Sequence, residues 1–350
     1  ASDVYKRQVI SGTIPVVYSN GILRFHNEGK CQAPAIITGR SGTIGKFTYI
    51  DHGEYWPHNT SLWVTTFHKN YPRFVYYFFQ NVGFEKYATG SGVPTLNRND
   101  IHKHIESIPS NKEEQQAIAS YFTTLDSQIS ASTSRLASLK QMKAASLQAM
   151  FPQEGETVPK IRFKGFKGEW KKVKADSIFK TFNEKNRPDL PVLSATQDRG
   201  MVTRESIGYN IFHDTSNEAT YKHILPGQFV IHLRSFQGGF AHSEIEGIAS
   251  PAYTIIDFKN KDLYHDYYWR YVFMSKEFIK RLELITYGIR DGRSISYDEF
   301  KEMSFLVPSK EEQIKIASYL KNLDRQISLQ SQRLEKLKQI KSACLDKMFV

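Results

Sequence analysis

Two long stretches of the chain share one pattern of apolar and polar positions. Residues 112–151 and 310–349 align without a gap, and more than half of their positions are identical. Apolar residues recur at intervals of three and four, with Ser, Gln, Lys and Arg between them, which predicts a helix with an apolar a/d seam. Each helix of about 38 residues should be about 57 Å long. The seam residues are Ile118, Phe122, Leu125, Ile129, Leu136 and Leu139 in the first stretch and Ile316, Leu320, Leu323, Ile327, Leu334 and Leu337 in the second.

Each apolar seam has to be covered, because a stripe of this length is not stable in water. The simplest cover is the other seam, and the long domain between the helices lets the chain reverse, so we expect an antiparallel pair. The alternative is that each helix packs on its own domain. Pro109 and Pro308 mark the helix entries, and Ser110 and Ser309 are the expected N-caps, followed by paired glutamates in the first turn.

The remaining segments are short, rich in β-formers and separated by turn residues, with residues 262–273 more helical in pattern. They predict two α+β domains, each with a mixed sheet and each followed by a long helix. We expect residues 1–8 to lie outside the fold and the first domain to lack its opening segment, because it is shorter than the second. The expected boundaries are 1–108 for the first domain, 109–151 for its helix, 152–168 for a linker, 169–307 for the second domain and 308–350 for its helix.

Composition narrows the class of protein. The 350 residues are 40% hydrophobic and 13% aromatic, which is typical of a folded chain. A net charge of +11 favours a polyanionic partner such as nucleic acid. The two cysteines fit a reducing cytoplasm, and they argue against a disulfide scaffold or a thiolate metal site. No apolar run approaches the length of a membrane span, so we expect a cytoplasmic protein without a membrane partner.

Three features together resemble the specificity subunit of type I DNA restriction-modification systems, and the resemblance covers almost the whole chain. The first is TGRSGTIGKF followed by YWPHNTSLWV in residues 38–64. The second is a polar, Gly-rich turn before each helix, ATGSGVPTLNRNDI (88–101) and GIRDGRSISYDEF (288–300). The third is the repeated helix that begins with Glu-Glu-Gln.

The resemblance implies two target-recognition domains at opposite ends of two antiparallel spacer helices. Each domain would read one half of a split double-stranded DNA site, and the helices would act as a ruler that docks two methyltransferase subunits. Because the two domains differ in sequence, the site should be asymmetric. The resemblance implies no catalytic activity and no cofactor in this chain; S-adenosylmethionine, ATP and Mg would bind only partner subunits. Whether restriction subunits take part is left open.

Candidate DNA-binding residues in the first domain lie in three places. Glycines around Arg40 allow close backbone approach to phosphate, and an arginine side chain can contact guanine through two hydrogen bonds. The alternative to a DNA-binding loop is an ordinary hairpin turn with solvated basic side chains, which would have the same composition. Asn59 suits adenine, but it also suits a turn after Pro57. The candidates are Arg40, Ser41, Thr43, Lys46, His58, Asn59, Asn97 and Arg98.

The second domain repeats this combination of an arginine after a strand and a glycine-rich backbone. Its candidate residues are Arg234, Ser235, Gln237, Arg290, Arg293 and Ser294. Two alternatives remain for the whole chain. One is the remnant of a fused DNA methyltransferase or endonuclease, although the chain has no Asn-Pro-Pro-aromatic tetrapeptide and no cofactor loop. The other is a coiled-coil interaction scaffold whose basic charge is incidental.

Overall fold

The computed structural model describes residues 11–90, 92–196, 199–207, 215–232, 239–285 and 295–349. These residues form two compact units. Unit 1 combines the described residues up to Arg135 with those from Gln330 onward, and unit 2 is Leu136–Leu329. Each unit contains one α+β domain and one part of each long helix.

Unit 1 has a mixed sheet, since its strand β1 is antiparallel to β2 and parallel to β6. Its elements are β1 (Ile14–Tyr18), β2 (Gly21–His26), β3 (Cys31–Gln32), β4 (Ala35–Gly39), β5 (Thr48–Ile50), β6 (Glu54–Pro57), β7 (Ser61–Trp63), α1 (Pro72–Val82), β8 (Ala88–Thr89), β9 (Thr95–Leu96), α2 (Arg98–Ile101) and the first part of α3 (Lys112–Ala149). The strand orders are β2-β1-β6-β3, β5-β4-β7 and β8-β9.

Unit 2 is built on the central sheet β11-β18-β15-β16, with three smaller pairs β10-β19, β12-β13 and β14-β17. Its elements are β10 (Lys171–Lys174), α4 (Ala175–Ile178), β11 (Phe179–Phe182), β12 (Leu193–Thr196), β13 (Gly200–Thr203), β14 (Lys222–Ile224), β15 (Phe229–Ile231), β16 (Phe240–His242), β17 (Gly247–Ala249), β18 (Thr254–Phe258), α5 (Asp266–Met274), α6 (Lys276–Ile285), α7 (Tyr297–Glu302), β19 (Ser304–Val307) and the first part of α8 (Lys310–Met348).

The long helices confirm the predicted lengths, with 38 residues in α3 and 39 in α8. One of their two N-caps differs from the prediction. The first helix is capped by Asn111, whose Oδ1 accepts from the Glu113 backbone N–H at 2.8 Å. The prediction of Ser110 as the cap is therefore wrong by one residue. Ser309 does cap the second helix, because its Oγ accepts from the Glu312 backbone N–H at 3.4 Å.

In unit 1 the two helices are antiparallel. Lys341 Nζ donates to Asp126 Oδ1 at 2.6 Å, and the Tyr121 hydroxyl lies 3.4 Å from Cys344 Sγ. From Tyr121 to Asp126 the residue numbers rise along α3, while those of their partners on α8 fall from Cys344 to Lys341. The predicted antiparallel pairing is confirmed here.

In unit 2 the same contacts recur, but the lysine now comes from α3 and the aspartate from α8. Lys143 Nζ lies 2.5 Å from Asp324 Oδ1, and Ser146 Oγ lies 3.3 Å from the Tyr319 hydroxyl. Asp324 and Lys143 are the repeat equivalents of the aspartate and lysine that pair in unit 1. The identical residues of the duplicated helices therefore make the same contact twice.

Each apolar seam packs on its own domain as well as on the other helix. The two alternatives that the sequence offered therefore both hold. The ring of Phe122 lies 5.1 Å from that of Tyr77 on α1 and 5.8 Å from that of Phe349 at the end of α8. In unit 2, Leu320 and Leu139 share one cluster with the aromatic residues of α5. The buried seam residues are Ile118, Phe122, Leu125, Leu139, Ile316, Leu320, Leu323 and Leu334, and the half-buried ones are Ile129, Leu136, Ile327 and Leu337.

The glutamine of each Glu-Glu-Gln sequence joins its helix to the preceding domain. Gln313 is fully buried; its Nε2 donates to Pro308 O (3.1 Å) and Leu263 O (3.0 Å), and its Oε1 accepts from His265 N (3.0 Å). Gln115 makes the corresponding bonds in unit 1, to Pro109 O among others.

Replacing Gln313 by alanine should lower the free energy of unfolding by about 2–3 kcal/mol, because it leaves buried backbone groups without their partner. Urea unfolding followed by tryptophan fluorescence measures the loss. Gln332→Ala, at an exposed position of the same helix, should change the free energy by less than about 0.5 kcal/mol. Equal effects of the two substitutions would contradict this role.

No helix in the described part of the chain is long and apolar enough to cross a membrane. Within the same residues, no group of three or more His, Cys, Asp or Glu side chains is placed to hold a metal ion.

Candidate nucleic-acid interface

The loop that follows β4 in unit 1 depends on glycine. A Cβ on Gly39 would lie 1.9 Å from Thr43 O, which no side chain can tolerate, and Gly42 has φ of 82°. The Arg40 backbone N–H donates to Thr60 O at 2.7 Å. The loop is thus folded tightly at its start, while the Arg40 side chain is exposed.

This loop is bonded to the segment just before α2, which the sequence singled out independently. Gly42 N donates to Pro94 O at 3.0 Å, and Leu96 N donates to Arg40 O at 2.8 Å. Ser41 and Thr95 form an antiparallel bridge between them. The structure therefore brings two of the three predicted regions of the first domain side by side, although they are more than 50 residues apart in the chain.

The predicted residues of this domain differ in exposure. Asn97 has a local structural role, since its Oδ1 accepts from the Asn99 backbone N–H at 3.0 Å and caps α2. The exposed candidates are Arg40, Lys46, Asn59, Asn97 and Arg98, and the half-buried ones are Ser41, Thr43 and His58.

His58 is held in a fixed orientation beside this loop. Its ring stacks on that of Tyr18 at 4.1 Å, and its Nδ1 lies 3.0 Å from Thr60 Oγ1. Burial, with a smaller contribution from Arg24, lowers the pKa of His58. The imidazole is therefore neutral at pH 7 and suited to a hydrogen bond rather than to a charge contact.

A cavity of about 880 Å³ opens next to these residues. Arg40, His58, Asn59 and Arg98 all line it. Lys30 also lines it, with Nζ 3.9 Å from the centre of the Trp56 ring. The sequence did not single out Lys30, because its signal, one basic residue next to Gly29, is too common to indicate a site.

The profile of the family described as type I restriction modification DNA specificity domain matches residues 4–141 and 167–339. The two matches correspond to the two copies of a domain followed by a long helix. The chain belongs to this family of DNA specificity domains.

One solved structure supports the fold of this specificity protein, and a second similar one is reported beside it. The chain is similar to the crystal structure of a type I restriction-modification system S subunit from M. genitalium, with a TM-score of 0.65 and 15% identity, over 99% of this chain and 91% of that one. The HsdS subunit from Thermoanaerobacter tengcongensis gives a TM-score of 0.45 at 14% identity, over 97% and 90% of the two chains. Among curated proteins, none matched.

The second domain of the specificity protein offers the same kind of position. Ile231 at the end of β15 pairs with Phe240 at the start of β16, as Ile37 of β4 pairs with Thr48 of β5. The connection between β15 and β16 thus corresponds to the Arg40 loop. The predicted residues Arg234, Ser235, Gln237, Arg290, Arg293 and Ser294 lie outside the described residues.

Proposed function

We propose that this specificity protein is the DNA-recognition subunit of a type I restriction-modification complex, and that its two domains read the two different parts of an asymmetric site. The observation that carries the proposal is the duplicated frame: the same helix contacts recur in both units, while the domains attached to them differ in sequence. In this proposal the helices set the number of unread base pairs between the two parts.

The interface proposed for the first domain is the Arg40 loop with the neighbouring Pro94–Arg98 segment. Exposed arginines beside a glycine-rich backbone can contact both base edges and phosphates. The positive net charge of the chain favours the approach to DNA, with a strong dependence on salt concentration.

The chemistry is proposed to reside in partner subunits. The chain would dock two modification subunits that bind S-adenosylmethionine and transfer the methyl group, and it would hold no cofactor itself. Restriction subunits with ATP and Mg would join the same assembly where the system includes them. The protein would therefore have no catalytic activity alone.

The test is adenine methylation mapping by long-read sequencing, in cells that express this chain together with a matching modification subunit. We expect one split, asymmetric N6-methyladenine motif. Arg40→Ala should relax or weaken one part of the motif and leave the other part intact. The loss of one bidentate base contact is about 1–3 kcal/mol, which is roughly 5- to 150-fold in site preference.

The control is Arg135→Ala, which removes an exposed arginine on α3 and should leave the motif unchanged. A complex that forms but methylates no motif would contradict the reading role and favour an interaction scaffold. Methylation by the chain without the modification subunit would contradict the non-catalytic role.

A further inference from the structure

The sheet β2-β1-β6-β3 of unit 1 has one apolar face and one face of a different kind. On the apolar face, Val17 of β1 is fully buried in one cluster with residues of β4. Neighbouring residues of a strand point to opposite faces, so Val16 lies on the other face. Val16 pairs with Arg24 of β2 and with Trp56 of β6. Because directly paired residues lie on the same face, Arg24 and Trp56 flank Val16 on this second face.

Four aromatic rings stand on the second face in two contacting pairs. The ring of His26 meets that of Trp56 edge-on at 4.6 Å. The ring of Tyr18 stacks on that of His58 at 4.1 Å. His26 and Tyr18 each come two residues after a residue of this face, and His58 comes two residues after Trp56. The rings therefore form a continuous aromatic layer across three strands, which we call the aromatic face.

Two basic side chains lie on the aromatic face. Lys30 Nζ is 3.9 Å from the centre of the Trp56 ring, which is a cation–π contact. Arg24 is close enough to His58 for its positive charge to add to the effect of burial in lowering the pKa of that imidazole. Both basic side chains are exposed, and within the described ranges neither forms an ion pair or a side-chain hydrogen bond. Cations placed in this way can bind an anion from solution.

The aromatic face adjoins the Arg40 loop. The turn between β1 and β2 touches that loop, since a Cβ on Gly39 would lie 2.9 Å from the Cβ of Ser19. His58 Nδ1 lies 3.0 Å from Thr60 Oγ1, and the Thr60 carbonyl accepts from the Arg40 backbone N–H at 2.7 Å. The aromatic face and the Arg40 loop are therefore neighbouring parts of one surface.

We propose that Arg24 and Lys30 bind phosphate groups of the DNA backbone, beside the base pairs that the Arg40 loop contacts. The inference rests on the proposed function and adds to it a surface that positions the duplex. Phosphate contacts hold the register of a protein on DNA, whereas contacts to base edges specify the sequence. Side chains supported by a sheet and its aromatic rings suit the first role, because little of their freedom is lost on binding.

The test measures DNA binding by the complex of the full chain with a matching modification subunit, on a duplex that carries the methylated motif. Fluorescence anisotropy at several salt concentrations gives the slope of log K against log[salt]. Arg24→Gln and Lys30→Gln should each weaken binding roughly 5- to 10-fold at about 0.1 M salt and make the slope about 0.9 less steep, because one counterion fewer is released. The double variant should change the slope by about 1.8.

Two further measurements separate a phosphate contact from other roles of these side chains. Arg24→Lys and Lys30→Arg should keep the wild-type slope, because the slope depends on the charge. Long-read methylation mapping of the two glutamine variants should find the wild-type motif at fewer sites, since a phosphate contact carries no sequence information. A purely structural role would leave the salt slope unchanged.

The matched control is Lys69→Gln, which removes an exposed lysine of the same domain. Lys69 lies at the junction with α3, where the neighbouring Asn70 Oδ1 accepts from Gln115 Nε2 at 2.9 Å, and its loss should leave the slope unchanged. An equal change of slope in this control would overturn the inference, because it would assign the effect to net charge.

The remaining outcomes distinguish this inference from the proposed function. A wild-type slope in both glutamine variants, with the motif still methylated, would overturn the inference and leave the proposed function standing. A wild-type complex that methylates no motif would overturn both. Altered letters in the motif would show that the aromatic face reads bases, and loss of the modification subunit from the complex would assign the face to a protein partner. Either result overturns the phosphate contacts.

Discussion

Replacing Arg162 by alanine should lower the free energy of unfolding by about 3–5 kcal/mol, because it leaves a buried carboxylate without its partner. Arg162 Nε and Nη2 each donate to Glu312 at 2.7 Å, and Nη1 donates to Gly168 O at 2.6 Å. The Glu312 side chain is 1% exposed. Water cannot replace the guanidinium at such a site. Urea unfolding followed by tryptophan fluorescence gives the loss.

The control is an ion pair of the same unit that is fully accessible to water. Lys174 Nζ lies 3.0 Å from Glu302, with the two side chains 62% and 63% exposed. Lys174→Ala should cost less than about 1 kcal/mol. A combined Arg162→Met and Glu312→Gln variant should recover part of the loss, because it no longer contains a buried charge. Similar losses in the Arg162 and Lys174 variants would contradict the argument.

This ion pair also marks a limit of prediction from the sequence. Glu114 and Glu312 occupy the same position of the repeated helix, yet the first is exposed and the second is buried. The difference comes from the segment after α3, expected as a linker, where Ile161 N donates to Ala149 O at 2.9 Å and Arg162 reaches Glu312. A Pro- and Gly-containing segment has no local periodicity that would reveal such packing.

The helices could be predicted because their signal is local. A 3-4 spacing sustained over five turns fixes both the helix and its apolar face, and Phe122 and Leu320 are buried as the seam requires. The sequence does not decide which surface covers each seam, because the same apolar stripe fits a partner helix and a domain surface equally well. The answer depends on Tyr77 and Phe349, which are far from Phe122 in sequence.

The same distinction between local and non-local signals applies to the candidate interface. Glycines mark the Arg40 loop because Gly42 requires a positive φ, which is a local property. The bond between Leu96 N and Arg40 O is a non-local strand pairing, and no single sequence reports its register. Residue types could therefore be chosen from the sequence, but not which loops stand together.

The second substitution with a large expected effect on the free energy of unfolding lies in the apolar helix seam. Phe122→Ala should lower the free energy of unfolding by about 3–5 kcal/mol, because it opens a cavity in a packed aromatic cluster. Phe122 is fully buried, with ring contacts to Tyr77 at 5.1 Å and to Phe349 at 5.8 Å. The adjacent Tyr121 is 42% exposed, so Tyr121→Ala should cost less than about 1 kcal/mol. Urea unfolding compares the two.

The position of Phe122 makes a second consequence testable. Its ring lies between the helix of the first domain and the end of α8, so its loss should loosen both contacts at once. Amide exchange should then rise in α1 and in the last turns of α8 together. The bond from Lys341 to Asp126 lies one turn further along α3 and would lose its packed surroundings. Faster exchange in α1 alone would mean that the seam serves only the domain and that the helix pair is held by its charged contacts.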